Sequence, residues 1–544
     1  MKIRKYHMLS NKKITKLWIT LFFLAFIFLG FYTVNDYGMP WDELSEIDIL
    51  KSNLAEYSVR FTDDVPFWLK DVPLISESIE KDHGISLFYP YVLVLMQNDI
   101  SEIERHLYWN MLCWIVFSLG SLGLFGILRQ LDVPWYFAIF GCVLLLLTPR
   151  FFAEGHYNNK DIALFSLTLL TTWQALRLIK KPTLNATLWF AIFGAFAFNT
   201  KIVGGAIWGM CFIAICIRLF YVVRSYKKIL GILSLGLLTF LAVFVLITPA
   251  SWSNPLDYFK YLLENALHFS RWNGFVLYRG QIYNLLETTL PRSYLPFTIF
   301  VTIPLWLWVC FAIGVIFSII FIYKNKTNLL KNSKSISILL LMCLWFIPII
   351  SAFILNAKVY NGWRHFYFIY GPMLVFMGYG IFEMYIYLKT KRFFKNTIIF
   401  ALIICSACFG INIWKNHPYQ YVYYQPYVQY LNSNSDYMEL DYWNISARDA
   451  LLELAKISEG DIVISGVDIW TKFALEYAVN ILPNEYFERI KILPPEEKNK
   501  ADYLLVNPTY ANYGNKFVIT ENNEKIINIT AYGQSIMQIY KNIK

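Results

Sequence analysis

The chain alternates long apolar runs with short polar connections. Eleven runs are long enough, or nearly so, to cross a hydrocarbon core that takes about 20 helical residues. They cover residues 17–34, 107–128, 135–149, 161–177, 185–200, 202–222, 229–248, 297–322, 336–355, 365–388 and 396–414. The third and fifth are short, and only Asn199, Thr200 and Lys201 separate the fifth from the sixth. Past Trp414 the pattern changes. An amphipathic stretch predicts a helix over 446–457, with a cap at Asn444 or Ser446, and strands are read over 461–465, 503–506, 516–520, 526–530 and 535–540. The fold class is therefore an all-α polytopic membrane bundle over 1–414, followed by a small α/β domain over 415–544.

Composition agrees with a membrane protein. Of 544 residues, 57% are apolar and 18% aromatic, with a mean hydropathy of +0.43, values that a soluble surface would not tolerate. The formal charge of +10 is a question of placement. The N-terminal segment and the even-to-odd connections hold 22 of the 48 Lys and Arg, beside one acid, Asp132, with Glu383 near the inner end of a span. The remainder is acidic, so the basic surplus is a topology signal that puts the N-terminus in the cytoplasm and the C-terminal domain outside the cell membrane. No nucleic-acid partner is consistent with this split. All eight Cys lie in apolar runs and read as small core residues. The basic N-terminus lacks a small-residue cleavage site after its apolar run, so it reads as an uncleaved first helix.

Candidate chemistry clusters in the connections on the outer side. The first span is followed by Asn35, Asp36, Tyr37, Gly38, Met39, Pro40, Trp41, Asp42 and Glu43, and an acidic pair that close to a bilayer is costly unless it is used. It opens a long loop, 35–106, whose aromatic residues and short apolar clusters suit a roof lying in the interface. The second outer connection holds Arg150, Glu154, His156, Asn158, Asn159, Lys160 and Asp161. Asn158, Asn159 or Asp161 suits a helix cap, whereas His156 and Lys160 do not and suit an anion instead. Arg364 and His365 stand at the mouth of the tenth span, where an Arg can either snorkel or grip an anion. The C-terminal domain has no Gly-rich phosphate loop and no metal-ligand spacing, and is expected to support the fold or recognise an acceptor.

Taken in order, these segments resemble the lipid-phosphate-sugar-dependent membrane glycosyltransferases of the GT-C type, in particular the protein O-mannosyltransferase-like group of glycosyltransferase family 39 and its aminoarabinose-transferase relatives. The carriers are Pro40 to Glu43, Thr148 to Asp161, Asn199 to Lys201 and Trp363 to His365, with His417 to Tyr424 and Glu439 to Trp443 matching bacterial members. The resemblance implies an inverting transfer from a polyprenyl-phosphate sugar to an extracytoplasmic lipid, glycan or protein, with the Asp of the acidic pair at the acceptor.

The chemistry of the residues fits that reading. A carboxylate can take the proton of an incoming hydroxyl and offset charge developing on the sugar. Adjacent side chains in an extended segment diverge, so Asp42 takes the base role and Glu43 orients a partner. The leaving phosphate needs cations that tighten as its charge grows, for which His156, Lys160, Lys201, Arg364 and His365 are candidates alongside Asp161. No obligatory cofactor is expected. A divalent cation held by Asp42, Glu43 and Asp161 would mark a metal-dependent oligosaccharyltransferase instead. Two other classes stay open: a polysaccharide polymerase or ligase, and a polyprenyl-lipid transporter, which would place paired charges mid-span where the sequence has only Glu383.

Overall fold

The computed structural model describes residues 2–267, 274–511, 513 and 520–543. The chain passes through α1 (Lys2–Thr33), α2 (Glu43–Phe61), α3 (Glu102–Gln130), α4 (Trp135–Leu146), α5 (Pro149–Glu154), α6 (Asp161–Lys180), α7 (Leu184–Thr200), α8 (Ile202–Val222), α9 (Tyr226–Ile247) and α10 (Pro255–Leu267). It continues through α11 (Tyr294–Thr302), α12 (Leu305–Lys324), α13 (Ser333–Leu355), α14 (Tyr370–Tyr387) and α15 (Arg392–Lys415). Nine helices among the described residues are long and apolar enough to cross a membrane. Each of the eleven apolar runs contains a helix, and the two outside those nine are α4 and α7, the runs already short in sequence. Twelve residues of α4 reach only about 18 Å. Pro149 then restarts the chain as the buried α5.

Local signals explain most boundaries. Ser101 and Glu104 form a reciprocal capping box that starts α3 ahead of its apolar run. The run at 297–322 is not one helix, because Pro304 can neither donate to a continuing helix nor let Ile303 stay helical, and the chain divides into α11 and α12 there. The α6 helix lies at the centre of the bundle, with almost every side chain buried. A Cβ on Gly120 of α3 would collide with Ser166 Oγ of α6, so glycine sets how closely these two helices approach.

The basic connections meet at one end. Lys180 Nζ lies 2.8 Å from Asp132, Arg218 Nη1 donates to the Leu330 carbonyl at 3.2 Å, and Lys334 pairs with Glu383 at 3.4 Å. Glu383, read in the sequence as a lone intramembrane acid, thus has a cation partner at a helix end. Of the eight Cys, Cys343 and Cys408 are exposed on spanning helices rather than packed in the core.

A short antiparallel hairpin of β1 (Phe275–Tyr278) and β2 (Gln281–Asn284) lies between α10 and α11, and at the other end, past Lys415, a five-stranded sheet forms in the order β4-β3-β5-β7-β6. Its strands are β3 (Ile462–Gly466), β4 (Ile490–Leu493), β5 (Tyr503–Val506), β6 (Asn523–Ala531) and β7 (Gln534–Asn542), with β3 parallel to β4 and β5 and the rest antiparallel. α16 (Ala447–Ile457) fits the amphipathic pattern, and the strands read at 461–465, 503–506, 526–530 and 535–540 are present. The strand read at 516–520 falls almost wholly outside the described residues. The sequence reading missed β4 and α17 (Ile469–Asn480). Ala474, Leu475, Ala478 and Val479 of α17 form one buried stripe, but the apolar Ile469, Phe473 and Tyr477 stand outside it, exposed or half-buried, so the usual single apolar stripe is blurred.

Candidate active site

The loop between α1 and α2 is held from the C-terminal region. Arg448 donates to the carbonyls of Asn35, Asp36 and Tyr37 at 2.7, 2.6 and 2.9 Å, and a Cβ on Gly38 would collide with the Ile445 carbonyl. The chain then turns at Pro40 into α2. Asp42 is the N-cap position with helical backbone angles and makes no capping bond, so its side chain is free to point elsewhere.

The acidic pair diverges, by helical rather than extended geometry. Glu43 turns inward and is buried, accepting from His106 Nδ1 at 2.9 Å. Nε2 of the same ring sits 3.1 Å from the Tyr37 carbonyl and 3.0 Å from Asn110 Nδ2. Burial pushes the Glu43 carboxyl up and His106 pulls it down. Glu43, read beside the catalytic Asp42 as the residue that orients a partner, faces away from the open space, and its geometry is that of an anchor for α2.

Asp42 faces a cavity of about 590 Å³. Its Oδ2 lies 3.1 Å from Arg364 Nη1. Although 41% of the Asp42 side chain is open to the cavity, the surrounding protein strips it of water and raises its carboxyl above the usual range, with Arg364 opposing and Glu46 adding to the rise. Lys160, Asp161, Lys201, Arg364 and His365 line the same cavity. Four connections separated by up to about 320 residues of sequence are brought together there.

The cations are arranged in a connected set. Lys201, at the break between α7 and α8, pairs with Asp161 and lies 3.4 Å from His365 Nδ1. Asn158 Oδ1 accepts from the Asp161 backbone N–H at 2.9 Å, so Asn158 caps α6 and Asp161 is left to hold Lys201. Lys160 Nζ is 3.7 Å from Glu46, and burial lowers its pKa. Arg364 lies over the Trp443 ring at 4.4 Å and the Tyr360 ring at 5.5 Å, contacts that fix the planar guanidinium. Arg364 Nε, Lys160 Nζ and His365 Nε2 are buried with no hydrogen-bond partner among the described residues. A set of buried cationic donors with spare capacity is suited to phosphate oxygens.

His156 does not belong to this set. It is fully buried, stacked between Trp114 and Tyr37 at 4.2 and 4.3 Å, with Nδ1 2.9 Å from the Phe152 carbonyl and Nε2 3.0 Å from Thr33 Oγ1. Burial pushes its pKa down to about 3, so the ring is neutral and cannot grip an anion. Its reading as a donor-binding residue is corrected: it packs the end of α1 against α3.

The expected metal ligands do not converge. Asp42 pairs with Arg364, Asp161 with Lys201, and Glu43 points inward. Three other cavity residues, Glu80, Asp82 and His83, each offer one ligand atom within 4.8 Å of the others and are the group that could hold a divalent cation. Sequence reading missed these three, together with Glu46, Trp443 and Trp470. Of them only Glu46 was within reach, since it lies one helical turn after Asp42 and shares its face.

No protein-family model matches the chain, and no curated protein matches it. Among solved structures it is similar to ArnT from Cupriavidus metallidurans bound to undecaprenyl phosphate, with 12% identity over 96% of this chain and 98% of that one at a TM-score of 0.43. The apo state of that protein gives 11% identity, the same coverage and a TM-score of 0.44. The apo oligosaccharyltransferase of Archaeoglobus fulgidus gives 14% identity over 86% of this chain and 69% of that one, with a TM-score of 0.43. Likenesses this remote leave the chemistry to the residues of the cavity.

Proposed function

We propose that this chain is a membrane glycosyltransferase of the GT-C kind, which moves a sugar with inversion from a polyprenyl-phosphate donor to a hydroxyl acceptor outside the cytoplasm. The observation that carries this reading is one cavity in which a carboxylate with a raised pKa, Asp42, adjoins the buried cations Arg364, Lys201 and Lys160, with the His365 ring beside them. The acceptor oxygen loses its proton to Asp42 and bonds to the anomeric carbon from the face opposite the phosphate. The bond from that carbon to the phosphate oxygen breaks, and its electron pair leaves with the polyprenyl phosphate, whose added charge the cations offset. Arg364 is shared between base and leaving group, so it sets the position of one against the other. Glu43 and His106 hold α2 in place.

Cationic side chains supply the charge that a metal would otherwise provide, so no obligatory cofactor is proposed. Purified protein in nanodiscs, kept in EDTA, is expected to bind undecaprenyl phosphate saturably and to release it as salt rises. Failure to bind in EDTA, with binding restored by a divalent cation, would replace this reading with a metal-dependent one at Glu80, Asp82 and His83.

The same proposal places the cavity and the C-terminal sheet on the outer side and the basic connections in the cytoplasm. Single cysteines at the exposed positions Asp64 and Asn522, in a background lacking the native ones, are expected to react with an impermeant maleimide on intact cells, and one at the exposed Asn328 is not. Labelling at Asn328 alone would invert the topology and remove the outer acceptor.

A further inference from the structure

We propose that Trp41 and Trp470 form a subsite for the ring of a neutral carbohydrate, making the acceptor a glycan and the C-terminal region a part of the active site. This deepens the glycosyltransferase reading and rests on Asp42 as the base.

The order of contacts along the cavity carries the argument. Ile202 and Val203, which follow Lys201, and Leu262 and Ala266 line it with aliphatic side chains, with Asn265 and its partner Asp82 among them. Lys201 touches His365, the neighbouring Arg364 reaches Asp42 at 3.1 Å, and Trp41, which precedes Asp42, packs on Trp470 with ring centroids 5.0 Å apart. The base therefore stands between a cationic end bounded by aliphatic side chains and an aromatic end. An isoprenoid tail suits aliphatic walls and its phosphate suits the cations beside them, which leaves the indole end to the second substrate.

The aromatic end is rigid. Trp470 sits in the first turn of α17, whose start is fixed by the reciprocal cap of Asp468 and Thr471, and its ring stacks on Tyr510 at 6.0 Å and 29°. Both indoles line the cavity and both are only partly buried. Trp443, by contrast, carries Arg364 on its ring face and serves the cationic end.

Asp42, Ser45 and Glu46 line the cavity from one face of the α2 start that Trp41 precedes. A sugar ring has a C–H face that suits the negative face of an indole and hydroxyls that donate to carboxylates. A neutral ring offers both groups without adding a charge.

Saturation-transfer NMR on the protein in nanodiscs, with a set of neutral methyl hexopyranosides as probes, tests this. Saturation of ring C–H protons is expected with the native protein, and Trp470→Ala is expected to weaken glycoside binding about five-fold. Trp470→Phe, which keeps a ring and the packing, should remain within about two-fold of the native protein. Undecaprenyl phosphate binding should be unchanged in both variants. Equal saturation in the native protein and Trp470→Ala, or no saturation in either, overturns the subsite, and so does loss of undecaprenyl phosphate binding in Trp470→Ala. The base reading stands or falls on a different measurement, transfer by Asp42→Asn.

Discussion

Asp42→Asn is expected to lower sugar transfer by about 10²–10⁴-fold, the usual contribution of a general base, while undecaprenyl phosphate still binds. Asn has the volume of Asp and can still accept from Arg364 Nη1, now 3.1 Å from the carboxylate. It can neither take a proton nor offset charge on the sugar. Because the protein around the cavity raises the Asp42 carboxyl, transfer by the native protein should fall as pH drops through a pKa above the usual carboxylate range, since only the deprotonated form is a base. The control is Glu43→Gln. Its side chain points away from the cavity to His106, so its effect should appear as lost thermal stability rather than as lost turnover in the protein that remains folded. Transfer by Asp42→Asn within a few-fold of the native rate would end the mechanism; loss of donor binding together with transfer would make Asp42 a structural residue of the cavity wall.

Arg364→Ala is expected to weaken undecaprenyl phosphate binding by about 10–100-fold, taking a charge-assisted hydrogen bond at about 1.5–3 kcal/mol. The side chain is 8% exposed and rests on two aromatic rings, with Nε buried and lacking a hydrogen-bond partner among the described residues. These contacts orient a planar fork, so Arg364→Lys should recover only part of the affinity. The loss should exceed that from Lys160→Ala, whose ammonium is a point charge with a pKa already lowered by burial. Binding by Arg364→Ala equal to that of the native protein would move the phosphate grip to Lys201 and Lys160. It would leave Arg364 as the partner of Asp42 alone.

Much of the site could be read before the fold was known, because its residues stand at the ends of apolar runs. A charged residue there is costly enough to stand out against the hydrocarbon on either side, and that contrast picked out Asp42, Lys160, Asp161, Lys201, Arg364 and His365, all of which line one cavity. The same contrast misled at His156. Its neighbours in sequence are polar, but Trp114 and Tyr37, which enclose it, come from elsewhere in the chain.

The sequence by itself determined the properties that depend on local spacing: where the chain is apolar for about 20 residues, which connections are basic and where an amphipathic helix such as α16 forms. Only the tertiary structure decided which way a residue faces and what meets it. Asp42 and Glu43 are neighbours with opposite fates, since one turns to Arg364 from a connection some 320 residues away and the other to His106 on α3. α17 escaped notice because the apolar Ile469, Phe473 and Tyr477 outside its buried stripe blur the period, and β4 because four residues are too few to show one; that Trp470 lines the cavity was decided by packing. Periodicity records a single buried face; a site assembled from loops is made of contacts between distant segments, which leave no period behind.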